Sequence, residues 1–302
     1  LYKGVMANDW TPFITYQQTI SVSAVCVASN MNHSGFTALK AKDAIVDQFN
    51  KKIGKRPSVD RENPDHKFLV RISHDQVNLL WNTSGDSLFK RGYRTMTGVA
   101  PLNEVLAAGI LNFSGWDLKR PLIDPMCGSG TFPLEAAEIA AGLHPGRSRN
   151  FAFERLATFM PERWTDLRSS VPKPIETPHF YGSDRNAGAI TNATSNANRA
   201  GIEHLCTFTH ASISDLMRPD GPPGLVILNP PYGARIGEKK QLFALYGALG
   251  TTLKTRFRGW RVAIITTDTS LARTCGLPFS DTSAPIPHGG LKVRLHQTKA
   301  LH

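Results

Sequence analysis

Hydrophobic and polar positions in the first part of the chain predict three strands and one amphipathic helix. The helix is indicated by apolar side chains that recur three and four positions apart from Ala38 to Ile53, before a stop at Gly54. The strands are indicated by apolar and polar residues that alternate over short stretches bounded by turn residues. We therefore predict a small α+β domain and place it at residues 1–95. Its predicted strands are 19–27, 68–72 and 77–81.

The pattern changes near Pro101, which is well placed to open a helix. From there, short apolar runs alternate with helical segments, which predicts βαβ units, a parallel sheet and ligand binding at the carboxyl ends of its strands. We place this α/β domain at residues 96–302, with an aromatic and proline-rich ordered insertion at 143–178 and an edge strand at 291–295. The other predicted strands are 121–124, 180–184, 205–210, 225–228 and 262–267; the predicted helices are 101–112, 131–141, 186–200 and 241–257.

Charge is distributed unevenly along the 302 residues. The net charge is +11, made up of about +5 in residues 1–95, zero in 96–249 and +6 in 250–302. A neutral middle between two basic ends is the expected pattern of a protein that binds a polyanion such as RNA outside its chemical centre. Surface charge that serves only solubility is the alternative.

Several classes of protein are excluded by composition. Four cysteines without a Cys-x-x-Cys pair form no disulfide framework, and the ten histidines show no metal-binding spacing, so we expect no metal. No apolar window is long enough for a membrane span, and no secretory leader is visible. We expect a cytoplasmic protein that does not bind a membrane, in a chain trimmed at its first residue, Leu1.

A glycine-rich turn joins a predicted strand to a predicted helix over Asp124-Pro125-Met126-Cys127-Gly128-Ser129-Gly130-Thr131. Glycine lets the backbone approach a ligand closely, and the amides of the next helix lie behind such a turn. Pro133 stands where a dinucleotide fingerprint needs its third glycine, and no Gly-Lys-Ser/Thr follows as in a P-loop. We expect a smaller nucleoside ligand, with a plain tight turn as the alternative.

Asp184 ends the next predicted strand. A carboxylate there can accept hydrogen bonds from two ribose hydroxyls. The alternative is that Asp184 caps the helix that follows.

A second turn, Asn229-Pro230-Pro231-Tyr232, follows a strand of four apolar residues. Two prolines fix the backbone and remove two amide donors, which leaves the Asn229 side-chain oxygen and the Pro230 carbonyl as acceptors. Two acceptors can hold both hydrogens of an exocyclic amine, and the Tyr232 ring can stack on the base that carries it. A loop that prolines merely stiffen is the alternative.

The two turns resemble motifs of the class I S-adenosylmethionine-dependent methyltransferases that modify exocyclic amines. The chain is similar over essentially its whole length to the bacterial ribosomal RNA guanine-N2 methyltransferases with a THUMP domain, the RlmL-like group. The stretches that carry the resemblance are 38–47, 56–60, 85–94, 100–104, the glycine turn and the Asn-Pro-Pro-Tyr turn. The resemblance implies a class I, Rossmann-like methyltransferase domain preceded by a small α+β THUMP domain that binds RNA and lacks its N-terminal part.

The same resemblance implies the roles of individual residues. Asn229 to Tyr232 would hold the target guanine, and Asp184 would bind the ribose of the cofactor. Ser212 stands where the family often has an acid for the adenine amine, and Glu104 either approaches the cofactor or lies on the surface. The residues expected to bind S-adenosylmethionine are Asp124, Pro125, Cys127, Gly128, Gly130, Thr131, Asp184, Ser212 and Glu104.

Basic side chains near these motifs are candidate phosphate contacts, with solvated surface charge as the alternative. We expect methylation of guanosine N2 in large-subunit ribosomal RNA. Transfer RNA guanine-N2, DNA adenine-N6 and a non-catalytic RNA-binding role remain open. The basic candidates are Lys90, Arg91, Arg94, Arg235, Lys239 and Lys240.

Overall fold

The computed structural model describes residues 1–94, 102–170, 179–232 and 239–302. These residues form two compact units. The first comprises Leu1–Ser87 and Arg149–Ser170, and the second comprises the described residues of Leu88–Ser148 and Val171–His302.

The elements of the first unit are α1 Tyr2–Met6, β1 Thr19–Val27, α2 Ser34–Ile53, β2 Ser58–Val59, β3 His66–Ser73 and β4 Gln76–Asn82. Its four-stranded sheet has the strand order β2-β1-β3-β4, with β1 parallel to both of its neighbours. The amphipathic helix α2 packs on this sheet and buries Ile45 and Phe49 against Phe68. It begins where the His33 ring accepts a hydrogen bond from Phe36 N at 3.0 Å and ends at the left-handed Gly54.

The two compact units differ from the predicted domains, 1–95 and 96–302, in two places. Residues 88–94 belong to the second unit, and Arg149–Ser170, part of the predicted insertion, returns to the first. Backbone hydrogen bonds hold this return segment: Phe153 N donates to Thr83 O at 2.8 Å, and Ala157 N donates to Phe13 O at 2.9 Å. Such long-range pairing leaves no local sequence pattern, which is why the sequence did not indicate it.

The remaining elements follow in chain order. They are α3 Glu104–Phe113, β5 Leu122–Asp124, α4 Thr131–Ala140, α5 Pro161–Ser169, β6 Phe180–Asp184, α6 Ala187–Ala200, β7 Cys206–His210, β8 Leu225–Leu228, α7 Lys239–Arg256, β9 Arg261–Thr266, α8 Thr269–Thr274, β10 Phe279–Thr282, β11 Ile286–His288 and β12 Leu291–Thr298. Helix α5 belongs to the first unit and the others to the second.

The second unit contains, among the described residues, an eight-stranded sheet with the order β10-β12-β9-β8-β5-β6-β7, and β11 pairs with β12. Strands β5 to β9 run parallel, which confirms the predicted alternation of strands and helices.

Two details of the second unit differ from the prediction. Pro101 lies outside the described residues, and α3 begins at Glu104, where the Asn103 side chain accepts hydrogen bonds from the first free amides of the helix. Strand β12 is longer than predicted and lies between β9 and β10, so it is not an edge strand. Alternation shows that one face of a strand is buried, but it does not show how many partners the strand has.

Hydrophobic cores lie on both faces of the parallel sheet. The cluster around Phe132, Phe180 and Ile227 packs on one face, and the cluster around Tyr246 and Trp260 packs on the other. Strand β8 is buried at every position, as expected for a central parallel strand. Within the described ranges, no helix combines the length and the apolar composition that a bilayer crossing requires.

Candidate active site

The glycine turn lies between β5, which is buried throughout, and α4. Gly128 has a φ of 53° and Gly130 a φ of 86°, the left-handed region that glycine tolerates best. A Cβ at Gly130 would lie 3.1 Å from the side chains of Ala193 and Phe208, whereas a Cβ at Gly128 would meet no described atom within 4 Å. The turn is therefore packed behind Gly130 and open beside Gly128, as a loop that receives a ligand requires.

Asp184 closes the turn from the neighbouring strand β6. Its Oδ2 accepts a hydrogen bond from Gly128 N at 3.0 Å, and its Oδ1 accepts one from Asn186 N at 2.9 Å. The alternative role as the cap of α6 belongs instead to Asn186, whose side chain accepts bonds from Gly188 N and Ala189 N. Asp184 thus fixes the glycine turn, a role that the sequence did not indicate, and each carboxylate oxygen keeps lone pairs for a further donor.

Asp124 is the last residue of β5 and the first of the glycine turn, and its side chain is buried. Its Oδ1 accepts a hydrogen bond from Met126 N at 3.0 Å. Burial raises the pKa of Asp124 to about 8, and the nearby Asp184 carboxylate adds to the rise. Asp124 is therefore mostly neutral near pH 7, and a cation bound at the turn would favour its charged form.

Three further residues of the turn, Pro125, Cys127 and Thr131, are buried. Burial raises the pKa of the Cys127 thiol well above its usual range. Cys127 N donates to Ser183 O at 2.9 Å, a second bond between the turn and β6. The Cys127 side chain is thus a packing group, while its backbone takes part in the loop.

The Asn-Pro-Pro-Tyr turn follows β8, the neighbour of β5 in the sheet. The two strands are parallel, so both turns lie at the carboxyl edge of the sheet, as predicted. The Asn229 side-chain oxygen Oδ1 is buried and accepts no hydrogen bond within the described protein. A buried acceptor without a donor is costly, so a ligand that donated a hydrogen bond to this oxygen would remove that cost.

Three further residues complete this turn. Pro230 is buried and Pro231 is exposed, and the Pro231 carbonyl accepts a 3.5 Å hydrogen bond from the Tyr246 hydroxyl. The half-buried Tyr232 packs against the hydrophobic clusters of both sheet faces. Burial raises the pKa of Tyr232, and the polar Asn229 side chain beside it opposes the rise. Tyr246 of α7 thus contacts the turn, and Tyr232 is partly exposed.

Glu104, at the first position of α3, is buried and is not the surface residue of the alternative interpretation. Its Oε1 lies 3.2 Å from Arg94 Nε, and its Oε2 has no hydrogen-bond partner among the described residues. Arg94 also donates to Thr131 Oγ1, in the first turn of α4, and to Leu102 O at 3.0 Å. Arg94 therefore links the Glu104 carboxylate, whose Oε2 has no partner, to Thr131 at the end of the glycine turn.

The basic candidates divide into two groups. Arg91 and Arg94 are internal ion-pair residues, so their prediction as phosphate contacts is wrong: their side chains are 7% and 8% exposed. Arg91 binds both carboxylate oxygens of Glu135, at 3.2 and 3.1 Å. The sequence showed their charge but not the buried carboxylates that neutralise it. Lys90, Lys239 and Lys240 are exposed, and Arg235 lies outside the described residues.

Ser212 follows β7, beyond Asp184 in the order of the sheet. Its hydroxyl donates to Asp215 Oδ2 at 2.6 Å, which leaves the hydroxyl oxygen as an acceptor for another group. Among the described residues, no three His, Cys, Asp or Glu side chains lie close enough to hold a metal ion.

Sequence reasoning missed one residue of this arrangement. Asn196 is fully buried on α6, between the core residues Ala193 and Ala197, and its side chain donates to Ser129 O in the glycine turn at 3.0 Å. A polar residue within the apolar face of a helix was the available signal.

Comparison with known proteins gives two family matches. Residues 91–284 match the RMKL-like methyltransferase domain, and residues 1–81 match the THUMP domain. The chain is 41% identical over 280 residues to the ribosomal RNA large subunit methyltransferase K/L of Aliivibrio salmonicida strain LFI1238. That alignment covers 90% of this chain but only 40% of the relative, so the chain spans less than half of that protein.

Two solved structures have the same fold over the whole chain. The crystal structure of SMU.472 in complex with SAH has a TM-score of 0.86 at 29% identity and covers 100% of this chain and 80% of its own. A structure described as a predicted N6-adenine-specific DNA methylase from Listeria monocytogenes strain 4b F2365 has a TM-score of 0.86 at 27% identity, with 99% and 78% coverage.

Proposed function

The chain belongs to the family of RMKL-like methyltransferase domains, and from that membership we propose that it transfers a methyl group from S-adenosylmethionine to the N2 amine of guanosine in large-subunit ribosomal RNA. The name of the relative from Aliivibrio salmonicida supports large-subunit ribosomal RNA as the substrate and methyl transfer as the reaction. The basic charge of the first unit and its THUMP match support RNA as the partner, and we place the activity in the cytoplasm, where such RNA is found.

The residues at the carboxyl edge fit the cofactor. The open backbone at Gly128 suits the methionine part, and Asp184 keeps lone pairs for the ribose hydroxyls. Glu104 Oε2 is buried without a hydrogen-bond partner, and an ammonium group would supply the donor that it lacks. Ser212 stands in the sequence where the family often has an acid, and its hydroxyl, which donates to Asp215, can accept a hydrogen bond from the adenine amine. The SAH-bound structure of SMU.472 supports this choice of cofactor.

S-adenosylmethionine, when bound, supplies an electrophilic methyl group on a sulfonium. Asn229 Oδ1 and the Pro230 carbonyl accept the two hydrogens of the target amine and hold its nitrogen towards that methyl group. The exposed part of the Tyr232 ring stacks on the base. Methyl transfer would form the nitrogen–carbon bond, break the methyl–sulfur bond and leave the neutral thioether S-adenosylhomocysteine. The cationic amine nitrogen would then release a proton to water, so the reaction needs no general base. Catalysis is therefore mainly positioning.

The observation that carries the proposal is the buried, unpartnered Oδ1 of Asn229 at the carboxyl edge that also holds the glycine turn. We expect Asn229→Ala to lower the turnover on the order of 100-fold, the usual cost of one preorganised hydrogen bond in an active site, with the cofactor affinity nearly unchanged. Asn198→Ala, at an exposed position of α6, is the matched control. Unchanged turnover in Asn229→Ala would remove this role from Asn229.

The substrate is identified by incubating the chain with methyl-labelled cofactor and total cellular RNA or DNA, followed by mass spectrometry of the nucleosides. Labelled N2-methylguanosine from large-subunit ribosomal RNA is the expected product. The name of the Listeria monocytogenes relative supports adenine N6 in DNA as the second candidate, which would give labelled N6-methyladenine instead. Label found only in transfer RNA would identify transfer RNA as the substrate instead. RNA binding without any label would favour a non-catalytic protein.

A further inference from the structure

We propose that Asn196 is a positioning residue that holds the glycine turn in the shape that binds the cofactor. The inference rests on the proposed cofactor, because it concerns the affinity for that nucleoside. Asn196 lies on α6, in the βα unit after the turn, and its side chain is 0% exposed. It reaches the turn through the 3.0 Å hydrogen bond from Nδ2 to Ser129 O.

The bonded carbonyl lies next to the open side of the turn. Ser129 is between the left-handed Gly128 and Gly130, and a Cβ at Gly128 would meet no described atom within 4 Å, whereas Gly130 is packed against Ala193 and Phe208. On the open side, hydrogen bonds help to fix how the peptide groups are oriented. The planar Ser129–Gly130 peptide is held at both ends, since Gly130 N donates to Cys127 O at 2.8 Å while Asn196 binds the carbonyl.

The Asn196 amide is itself held in one orientation. Arg199, one turn further along α6, donates from Nη2 to Asn196 Oδ1 and from Nε to Tyr93 O at 2.7 Å. A guanidinium only donates hydrogen bonds, so the amide oxygen must face Arg199 and the amide nitrogen must face the turn. Arg199 thus acts through Asn196.

The far end of this chain of bonds is also anchored. The Tyr93 hydroxyl donates to Glu135 Oε1 at 2.9 Å, and Arg91 binds the same carboxylate. Glu135 is on α4, the helix that starts at the end of the glycine turn. A network of polar contacts therefore links the turn, α4, α6 and residues 91–94, and within it Asn196 binds the Ser129 carbonyl of the turn.

The test compares Asn196→Asp with Asn198→Asp in the full chain. Aspartate at 196 keeps the size of the side chain but replaces the donor with an acceptor that faces the Ser129 carbonyl. Asn198 is exposed on the same helix, so its variant carries the same change of charge without touching the turn. Calorimetric titration with S-adenosylhomocysteine gives the Kd, and turnover at saturating cofactor gives kcat.

We expect a Kd on the order of 10-fold to 100-fold higher in Asn196→Asp, with kcat within about 3-fold of the wild type and Asn198→Asp unchanged. A second variant, Arg199→Met, leaves Asn196 in place but frees its amide. We expect a smaller rise in Kd for Arg199→Met. If Asn196→Asp does not fold, the Kd of Arg199→Met tests whether the orientation of the Asn196 amide affects cofactor binding.

Two results would overturn the inference alone: an unchanged Kd in a folded variant that has lost the bond, or a loss of kcat at unchanged Kd, which would mean that Asn196 acts on the reaction step and not on cofactor binding. A wild-type chain that does not bind S-adenosylhomocysteine would overturn the cofactor assignment as well, so the two failures are distinguishable.

Discussion

The Arg91 guanidinium and the Glu135 carboxylate form a two-point ion pair inside the second unit, with 3.2 Å between Nε and Oε1 and 3.1 Å between Nη2 and Oε2. Both side chains are at most 7% exposed, and the Tyr93 hydroxyl donates to the same carboxylate. The pair joins the start of this unit to α4, so Arg91 is an almost fully buried ion-pair residue that stabilises the fold.

Removing one member of this pair is expected to destabilise the protein. Arg91→Ala leaves the Glu135 carboxylate buried without its cation, and breaking a buried ion pair in this way costs about 3–5 kcal/mol. Urea unfolding measures the loss, and Lys119→Ala, on the surface of the same unit, is the control. A variant as stable as the wild type but weaker in RNA binding would restore Arg91 as a phosphate contact.

Gly182 on β6 is expected to tolerate no side chain. A Cβ there would lie 2.6 Å from Phe208 Cδ1 and 2.9 Å from Cys127 Sγ, so Gly182→Ala should cost about 1–3 kcal/mol of unfolding free energy through overpacking. Thermal unfolding checks this. Gly109→Ala, in the exposed interior of α3, should instead gain up to about 1 kcal/mol because alanine is the better helix former.

Asp124 is expected to make the stability depend on pH. Its folded pKa of about 8 lies above the unfolded value of 3.8, so the folded chain holds a proton that the unfolded chain releases, and stability falls as the pH rises from about 4 to about 8. Asn at 124 mimics the neutral carboxyl. We expect Asp124→Asn to gain stability relative to the wild type by up to about 1.4 kcal/mol for each pH unit in this window.

Urea unfolding at pH 5.5 and at pH 7.5 makes the comparison for Asp124. A difference between variant and wild type that does not change with pH would mean that Asp124 is already charged in the folded chain.

His66, in the first unit, is expected to give the opposite pH dependence: it should lower the stability of the protein as the pH falls. Burial lowers its pKa below 6.5, and neither ring nitrogen has a hydrogen-bond partner among the described residues. The unfolded chain therefore binds a proton first, and stability is lost as the pH falls below about 6.5. His66→Phe, which keeps the ring contact with Trp81, should flatten this loss, whereas His204→Phe on the surface should not. Equal acid sensitivity of His66→Phe and the wild type would contradict the assignment.

Glu104 is expected to contribute to cofactor affinity. Glu104→Gln keeps the shape but removes the charge of the unpartnered Oε2, and we expect S-adenosylhomocysteine to bind on the order of 10-fold more weakly, as a charge-assisted hydrogen bond becomes a neutral one. Glu203→Gln, at an exposed position, is the control. Calorimetry that gives the same Kd for both variants would place Glu104 outside the cofactor site.

The sequence by itself determined the elements and the two turns. Apolar periodicity, the glycines at 128 and 130 and the prolines at 230 and 231 act on a few neighbouring residues, so their effects are visible in the sequence. Only the tertiary structure decided that Arg91 and Arg94 are buried, that Arg149–Ser170 returns to the first unit and that Asn196 reaches the glycine turn. The reason is physical: burial and pairing depend on partners far away along the chain, and local residue spacing carries no record of them.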